Sequence, residues 1–202
     1  TTVVEALGQE REYSGPLSEW MFERRFHPET VDRLGMIRVM PQAHSYQWPA
    51  WWPHKWARFW SLATPAYEIS GKFVSLHARS VNLKQRGPKT IWPREYEAGG
   101  LFLANRRGVM VLRGEHKEIA GLIICEGLTD LIRASIATEE EDMDMAILSG
   151  VSGSFKSLSK LRIPKSLKVY IATDPNKQGN EYAQTIIKHL KTKLIYRLHL
   201  GQ

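Results

Sequence analysis

At 202 residues with 43% hydrophobic side chains, the chain can bury a real core and form one large domain or two small ones. No apolar run reaches about 18 residues, "TTVVEALGQE" is not a basic-then-apolar leader, and the single Cys125 rules out an internal disulfide or cysteine-rich zinc ribbon; a soluble protein in a reducing, cytoplasmic setting, with no membrane partner, is expected. Lys and Arg outnumber Asp and Glu by 28 to 21, and from Lys72 to Arg113 nine basic residues stand against two acids, Glu95 and Glu97. That excess is either a solvated basic face or the footprint of a polyanion, since each Lys or Arg set against a phosphate releases condensed counterions.

In chain order, "HPETVDRLG" (27–35) predicts a short helix opened by Pro28 and closed by Gly35. Five of the seven tryptophans fall in "WPAWWPHKWARFW" (48–60), where Trp52, Trp56 and Trp60 recur at every fourth residue. Such a stripe reads as a packing face of a helix ahead of a base-stacking platform. "YEISGKFVSLHARSV" (67–81) alternates around Ser70–Gly71 and predicts an antiparallel hairpin. The composition changes near residue 115, which divides the chain into a basic, mixed α+β part (1–114) and a regular part (115–202).

The second part alternates strand and helix patterns. "GLIICEG" (121–127) reads as a buried strand, "LTDLIRASIA" (128–137) as a helix and "TEEEDMD" (138–144) as an acidic connection. "MAILSG" (145–150) is a second strand, "SGSFKSLSKL" (152–161) a short helix, and "LKVYIATD" (167–174) a third strand. "GNEYAQTIIKHLKT" (179–192) and "KLIYRLHL" (193–200) complete the series with a helix and a strand. Strands joined by helices call for right-handed crossovers and a mostly parallel sheet, so the fold class is α/β with an α+β part in front.

Ligands of such sheets gather beyond the carboxyl ends of the strands. Glu126 and Asp174 each follow one, and Asp130 stands in the first turn after Gly127. Three carboxylates at one rim repel one another unless a cation neutralises them, and Mg²⁺ or Mn²⁺ suits oxygen ligands. Taken singly, Asp130 is an ordinary helix-dipole partner and Asp174 before Pro175 an ordinary turn former. A charge at Glu126, directly after "LIIC", has the weaker structural excuse. Cys125 is expected buried and inert, and "LSGVSGS" (148–154) is either a tight turn or a loop whose N–H groups meet a phosphate.

"EGLTD" (126–130) resembles the Glu-Gly-x-x-Asp motif of the Toprim domain, and "TDPNKQGNEYA" its Asp-x-Asp motif, with Asp174 in the first acidic position. Upstream, "FHPETVDRLGM", "ISGKFVSLHARSV" and "GPKTIWPREYEAGGLFLAN" resemble, in order, segments of the RNA-polymerase domain of DnaG-type primases. The resemblance implies synthesis of short RNA primers on single-stranded DNA by metal-dependent nucleotidyl transfer. It implies Glu126, Asp130 and Asp174 as catalytic acids, and Glu126, Asp174 and Asn176 on Mg²⁺ or Mn²⁺. Arg79, Lys84, Arg86, Lys89, Arg106 and Arg107 would hold template or nucleotide phosphates. Expected partners are single-stranded DNA, nucleoside triphosphates and, through further domains, a replicative helicase or other replication proteins. The chain departs from the family at Asn176, an amide where the second acid stands, with Glu181 as a nearby substitute; it also ends at Gln202 without a further acidic motif, either because it is a piece of a longer protein or because its site is reduced. The alternatives are a weakened Toprim module that binds nucleic acid, or a Toprim-type nuclease.

Overall fold

The computed structural model describes residues 16–39, 62–81, 88–92, 98–153, 155–190, 192 and 194–198. The tryptophan-rich segment 48–60, with its expected helical stripe, lies outside them. The chain divides into two compact units, Thr1–Pro65 with Ser75–Glu97, and Ala66–Val74 with Ala98–Gln202. Among the described residues no helix is long and apolar enough to cross a membrane.

The first unit holds helices α1 (Pro16–Glu23) and α2 (Pro28–Leu34) and strands β1 (Arg38–Val39), β2 (Leu62–Tyr67), β3 (Phe73–Arg79) and β4 (Thr90–Ile91), the middle two strands extending into the second unit. α2 forms as its sequence predicts: Pro28 presets the first turn, and Gly35 closes the helix at φ 66° with its N–H on the Asp32 carbonyl. Leu17, Trp20, Met21, Phe26 and Val31 are buried, with the Trp20 and Phe26 rings edge to face at 5.8 Å. The predicted hairpin is present as β2 and β3, neighbours that turn over Ser70–Gly71. Gly71 adopts φ 76°, and a Cβ there would lie 2.6 Å from Arg113 Cγ. β2 begins at Leu62, earlier than the alternation shows, because Pro65 interrupts its strand pattern.

The second unit contains β5 (Phe102–Ala104), α3 (Arg106–Leu112), β6 (Gly121–Cys125), α4 (Leu128–Glu140), β7 (Met145–Gly150), β8 (Lys168–Ala172), α5 (Lys177–His189) and β9 (Ile195–Arg197). Its strand order runs β5-β7-β6-β8-β9, beside the end of β2. β6 pairs in parallel with β7 and β8, and β8 with β9, while β5 runs antiparallel to β7 and β2. All five residues of the central β6 are buried, as a strand covered on both faces requires. Leu122, Ile124, Val169 and Ile171 join Ala183, Ile186 and Leu190 of α5 in one apolar cluster.

Two elements differ from expectation in this unit. α4 continues through Thr138 to Glu140, where a loop was predicted, since glutamates favour helix and the Thr138 hydroxyl bonds back to Ala134 O at 2.9 Å. It stops where Asp142 turns left-handed, with Asp142 N–H on Glu139 O and Met143 N–H on Thr138 O. The helix expected over 152–161 is two 3-10 pieces, Val151–Gly153 and Phe155–Lys160.

Asn105, only 8% exposed, ties β5, α3 and β7 together. Its side-chain oxygen accepts from Gly108 N (2.7 Å), capping α3, and from Ile147 N (2.9 Å), while Nδ2 donates to Met145 O (3.0 Å). On β7 the β5 ladder covers Leu148–Gly150, so Asn105 completes the ladder of β7 where that neighbour ends. Asn105→Ala is expected to destabilise the protein by about 2 to 4 kcal/mol in urea unfolding, because buried backbone groups lose their partners.

In the first unit His77 on β3 is 7% exposed, its ring 4.9 Å from Trp92 and its Nδ1 without a hydrogen-bond partner among the described residues. Burial, and then the Arg79 charge, lower its pKa from 6.5 to about 4, so the folded protein keeps it neutral. The unfolded chain then binds more protons between these values, and the contribution is complete above pH 6.5 and lost as pH falls toward 4. His77→Phe is expected to flatten that part of the stability profile, which in the wild type is worth up to about 3 kcal/mol, as urea midpoints across the window will read.

Candidate acidic site at the strand ends

Parallel register brings the two strand-end acids together. Cys125 of β6 lies opposite Ala172 of β8, so the residues that follow, Glu126 and Thr173–Asp174, emerge at the same rim. Asp174 N–H donates to Glu126 Oε2 at 3.3 Å. Asp130, in the first turn of α4, has its Oδ1 4.0 Å from the guanidinium of Arg133. Burial raises the Glu126 pKa above the usual carboxylate range, the charges of Asp174 and Asp130 add to it, and the Asp174 N–H opposes it.

The turn that presents Asp174 is tightly built. Thr173 Oγ1 donates to Gly179 O at 2.9 Å, and Asn176 caps α5 by accepting from Gly179 N at 2.8 Å. A Cβ on Gly179 would collide with the Asp174 carbonyl, so glycine is required for the helix to start so close to the strand end. The cap also starts α5 at Lys177, two residues before the Gly179 of the predicted pattern. Asn176 Nδ2 faces Asp174 Oδ2 at 3.4 Å, and Arg197, at the end of β9, donates from Nη2 to Asp174 O at 3.3 Å. Gly127, between Glu126 and α4, is extended (φ −143°, ψ 174°), and a Cβ there would make only ordinary contact with Asp130 Oδ2 at 3.6 Å.

The site is an open arrangement: among the described residues no three His, Cys, Asp or Glu side chains are gathered into a cage for a metal ion. Its donors are nonetheless all oxygens, and Glu126 is held near two like charges that a cation would relieve. That fits a hard divalent ion such as Mg²⁺ or Mn²⁺, which takes one or two carboxylates and retains water. Asn176 differs from the acids, because its oxygen already serves as the helix cap.

Of the basic candidates, Lys84 and Arg86 lie outside the described residues. Arg79 and Lys89 are neighbours in the first unit, where Arg79 pairs with Thr90 across β3 and β4 and Ser80 N bonds Lys89 O. The Arg79 guanidinium stands 5.8 Å from the Trp20 ring, and Lys89 is exposed. Arg106 and Arg107 open α3 beside the start of β7, at the opposite end of the strands from Glu126, and Arg107 pairs with Asp144. The loop after β7 lines a cavity of about 380 Å³ with Lys156, Gln178, Glu181 and Tyr182, Ser152 standing left-handed at φ 51°. Cys125 is buried, which pushes its thiol pKa far up and leaves it unreactive. The sequence reading missed Arg197, although a charge at an inward position of a strand is itself a signal.

Residues 121–201 match the model of the Toprim domain. The whole chain superposes on the Aquifex aeolicus primase (zinc-binding and RNA polymerase domains) with a TM-score of 0.66 at 16% identity, covering 98% of this chain and 54% of that one. It is similar to the RNA polymerase domain of Mycobacterium tuberculosis primase DnaG (TM-score 0.56, 14% identity, 98% and 72% covered) and to the E. coli primase catalytic core (0.56, 13%, 98% and 69%). A DnaG primase catalytic domain bound to ssDNA is also similar (0.57, 12%, 92% and 64%). The chain spans about half the length of the Aquifex protein. No curated protein sequence matches it significantly. Residues 121–201 thus match the Toprim domain, and the chain that carries them has the fold of the DnaG-type primase catalytic cores.

Proposed function

We propose that the chain is a primase catalytic core, which joins nucleoside triphosphates into short RNA primers on a single-stranded DNA template. The observation that carries this reading is the meeting of Glu126 and Asp174 at the carboxyl rim of adjacent parallel strands within a Toprim domain. Glu126 and Asp174 would hold Mg²⁺ or Mn²⁺, with Asp130 beside them; Asn176 would reach the ion only through its remaining oxygen lone pair or through a water. When bound, the ion supplies positive charge that orients nucleotide phosphates and offsets the charge developing in phosphoryl transfer.

The protein's own groups set the geometry. Thr173, Asn176 and Gly179 fix the Asp174 turn, and Glu126 is braced against its N–H. The basic part, residues 1–114, would supply template and nucleotide contacts through Arg79, Lys84, Arg86 and Lys89, and the second part, 115–202, would hold the ion at its acidic rim. Arg106 and Arg107, at the opposite end of the strands from Glu126, would add only backbone contacts. A replicative helicase or other replication proteins would be engaged through further domains. One observation favours a second reading, a nucleic-acid-binding module with weakened catalysis: the second acidic position is the neutral cap Asn176.

Glu126→Gln tests the leading reading. Primer synthesis and Mn²⁺ affinity by calorimetry are both expected to fall by at least about 100-fold. The folded-state pKa of Glu126 is raised, so its stabilising contribution belongs to the protonated form and is lost as pH rises through that pKa. In metal-free buffer at neutral pH the variant should therefore melt no lower than the wild type, and Mn²⁺ should raise only the wild-type Tm. Primer synthesis that survives unchanged would refute the assignment.

Asn176→Asp separates the two readings. Aspartate caps a helix as well as asparagine, so the melting temperature should hold within a few degrees while a charge is added to the site. Stronger Mn²⁺ binding with faster synthesis supports a primase limited by its ion site. Salt-sensitive DNA binding that ignores both Mn²⁺ and the substitution supports the binding module.

A further inference from the structure

Arg197 occupies a place that the strand pattern reserves for an apolar side chain. In β9, Ile195 packs against the apolar cluster beneath α5, while Tyr196 turns to the other face and stacks on Tyr170 at 5.5 Å. Residue 197 returns to the Ile195 side, level with Ile171 of β8. The arginine there is partly buried, and its side chain reaches forward over the strand ends to the Asp174 carbonyl. Among the described residues its Nη2 hydrogen bond to that oxygen leaves most of the guanidinium fork unfilled, and no carboxylate pairs with it.

A guanidinium cannot lose its proton to escape this position, so its charge is a permanent part of the rim. It stands next to a turn with one acid at Asp174 and a neutral amide at Asn176, where a second acid would recruit more cationic charge. A nucleotide polyphosphate on a single divalent ion brings more negative charge than that ion cancels. Resting on the reading of the previous section, we propose that Arg197 binds a phosphate oxygen of the polyphosphate held at the acidic site, supplying positive charge that Asn176 does not help to gather. An arginine fork suits this task because it presents parallel N–H groups to phosphate oxygens.

The test is calorimetry on the full chain, first with Mn²⁺ and then with inorganic pyrophosphate at saturating Mn²⁺, for wild type, Arg197→Gln and Arg197→Lys. Circular dichroism and Tm establish that the variants are folded. Arg197→Gln should bind Mn²⁺ within about threefold of wild type and pyrophosphate about tenfold or more weakly, with Arg197→Lys recovering part of the loss. Unchanged pyrophosphate affinity in Arg197→Gln, with Mn²⁺ bound normally, overturns the Arg197 assignment alone. Equal losses for Mn²⁺ and pyrophosphate reduce Arg197 to a brace for the Asp174 turn. A wild type that binds no Mn²⁺ removes the metal reading and the proposal with it.

Discussion

Pairing Cys125 with Ala172 across two parallel strands forces the next residues of each into one place, and those residues are acids. This register brings Glu126 to the Asp174 amide at the rim, where burial first, and then the Asp174 and Asp130 charges, raise the Glu126 pKa against that hydrogen bond. The apolar cluster under α5 fixes the register, because a slip of one residue would turn Ile171 and Val169 away from it. Electrostatic tension at the rim is thus imposed by packing below it. A divalent ion is the simplest agent that removes the tension without disturbing the register.

The opposite end of the same strands is held by a neutral amide and an ion pair. β5 meets β7 along only its last three residues, and Asn105 carries the hydrogen bonding onward while capping α3. Arg107 and Asp144 cancel each other there. The opposite rim is left with carboxylates beside a guanidinium that, among the described residues, no carboxylate pairs with. This asymmetry, more than the overall charge of the chain, points to where phosphate chemistry would occur.

Much of the second unit could be read from the chain because its signals are local. Continuous apolar runs marked β6, β7 and β8, and a carboxylate directly after "LIIC" marked the rim. Pro28 and Gly35 did the same for α2, and Ser70–Gly71 for the hairpin. What escaped depends on partners distant in sequence. Asn105 looks like any polar residue before a helix until β7 arrives 40 residues later, and Arg197 matters only because β9 lies beside β8.

Asn176 shows how little of the fold depends on the charge of the site. Its side-chain oxygen starts α5, and an aspartate oxygen would do so equally well, so the position can exchange amide for acid without altering the turn. Gly179 has no such freedom, since any Cβ would strike the Asp174 carbonyl. The turn therefore separates shape from charge: glycine and cap fix where Asp174 stands, and the identity of residue 176 sets the charge beside it, which on the proposed reading would govern how strongly a cation is held. With the amide in place, added positive charge has to come from the protein itself, and Arg197 is the side chain on β9 already in contact with that turn.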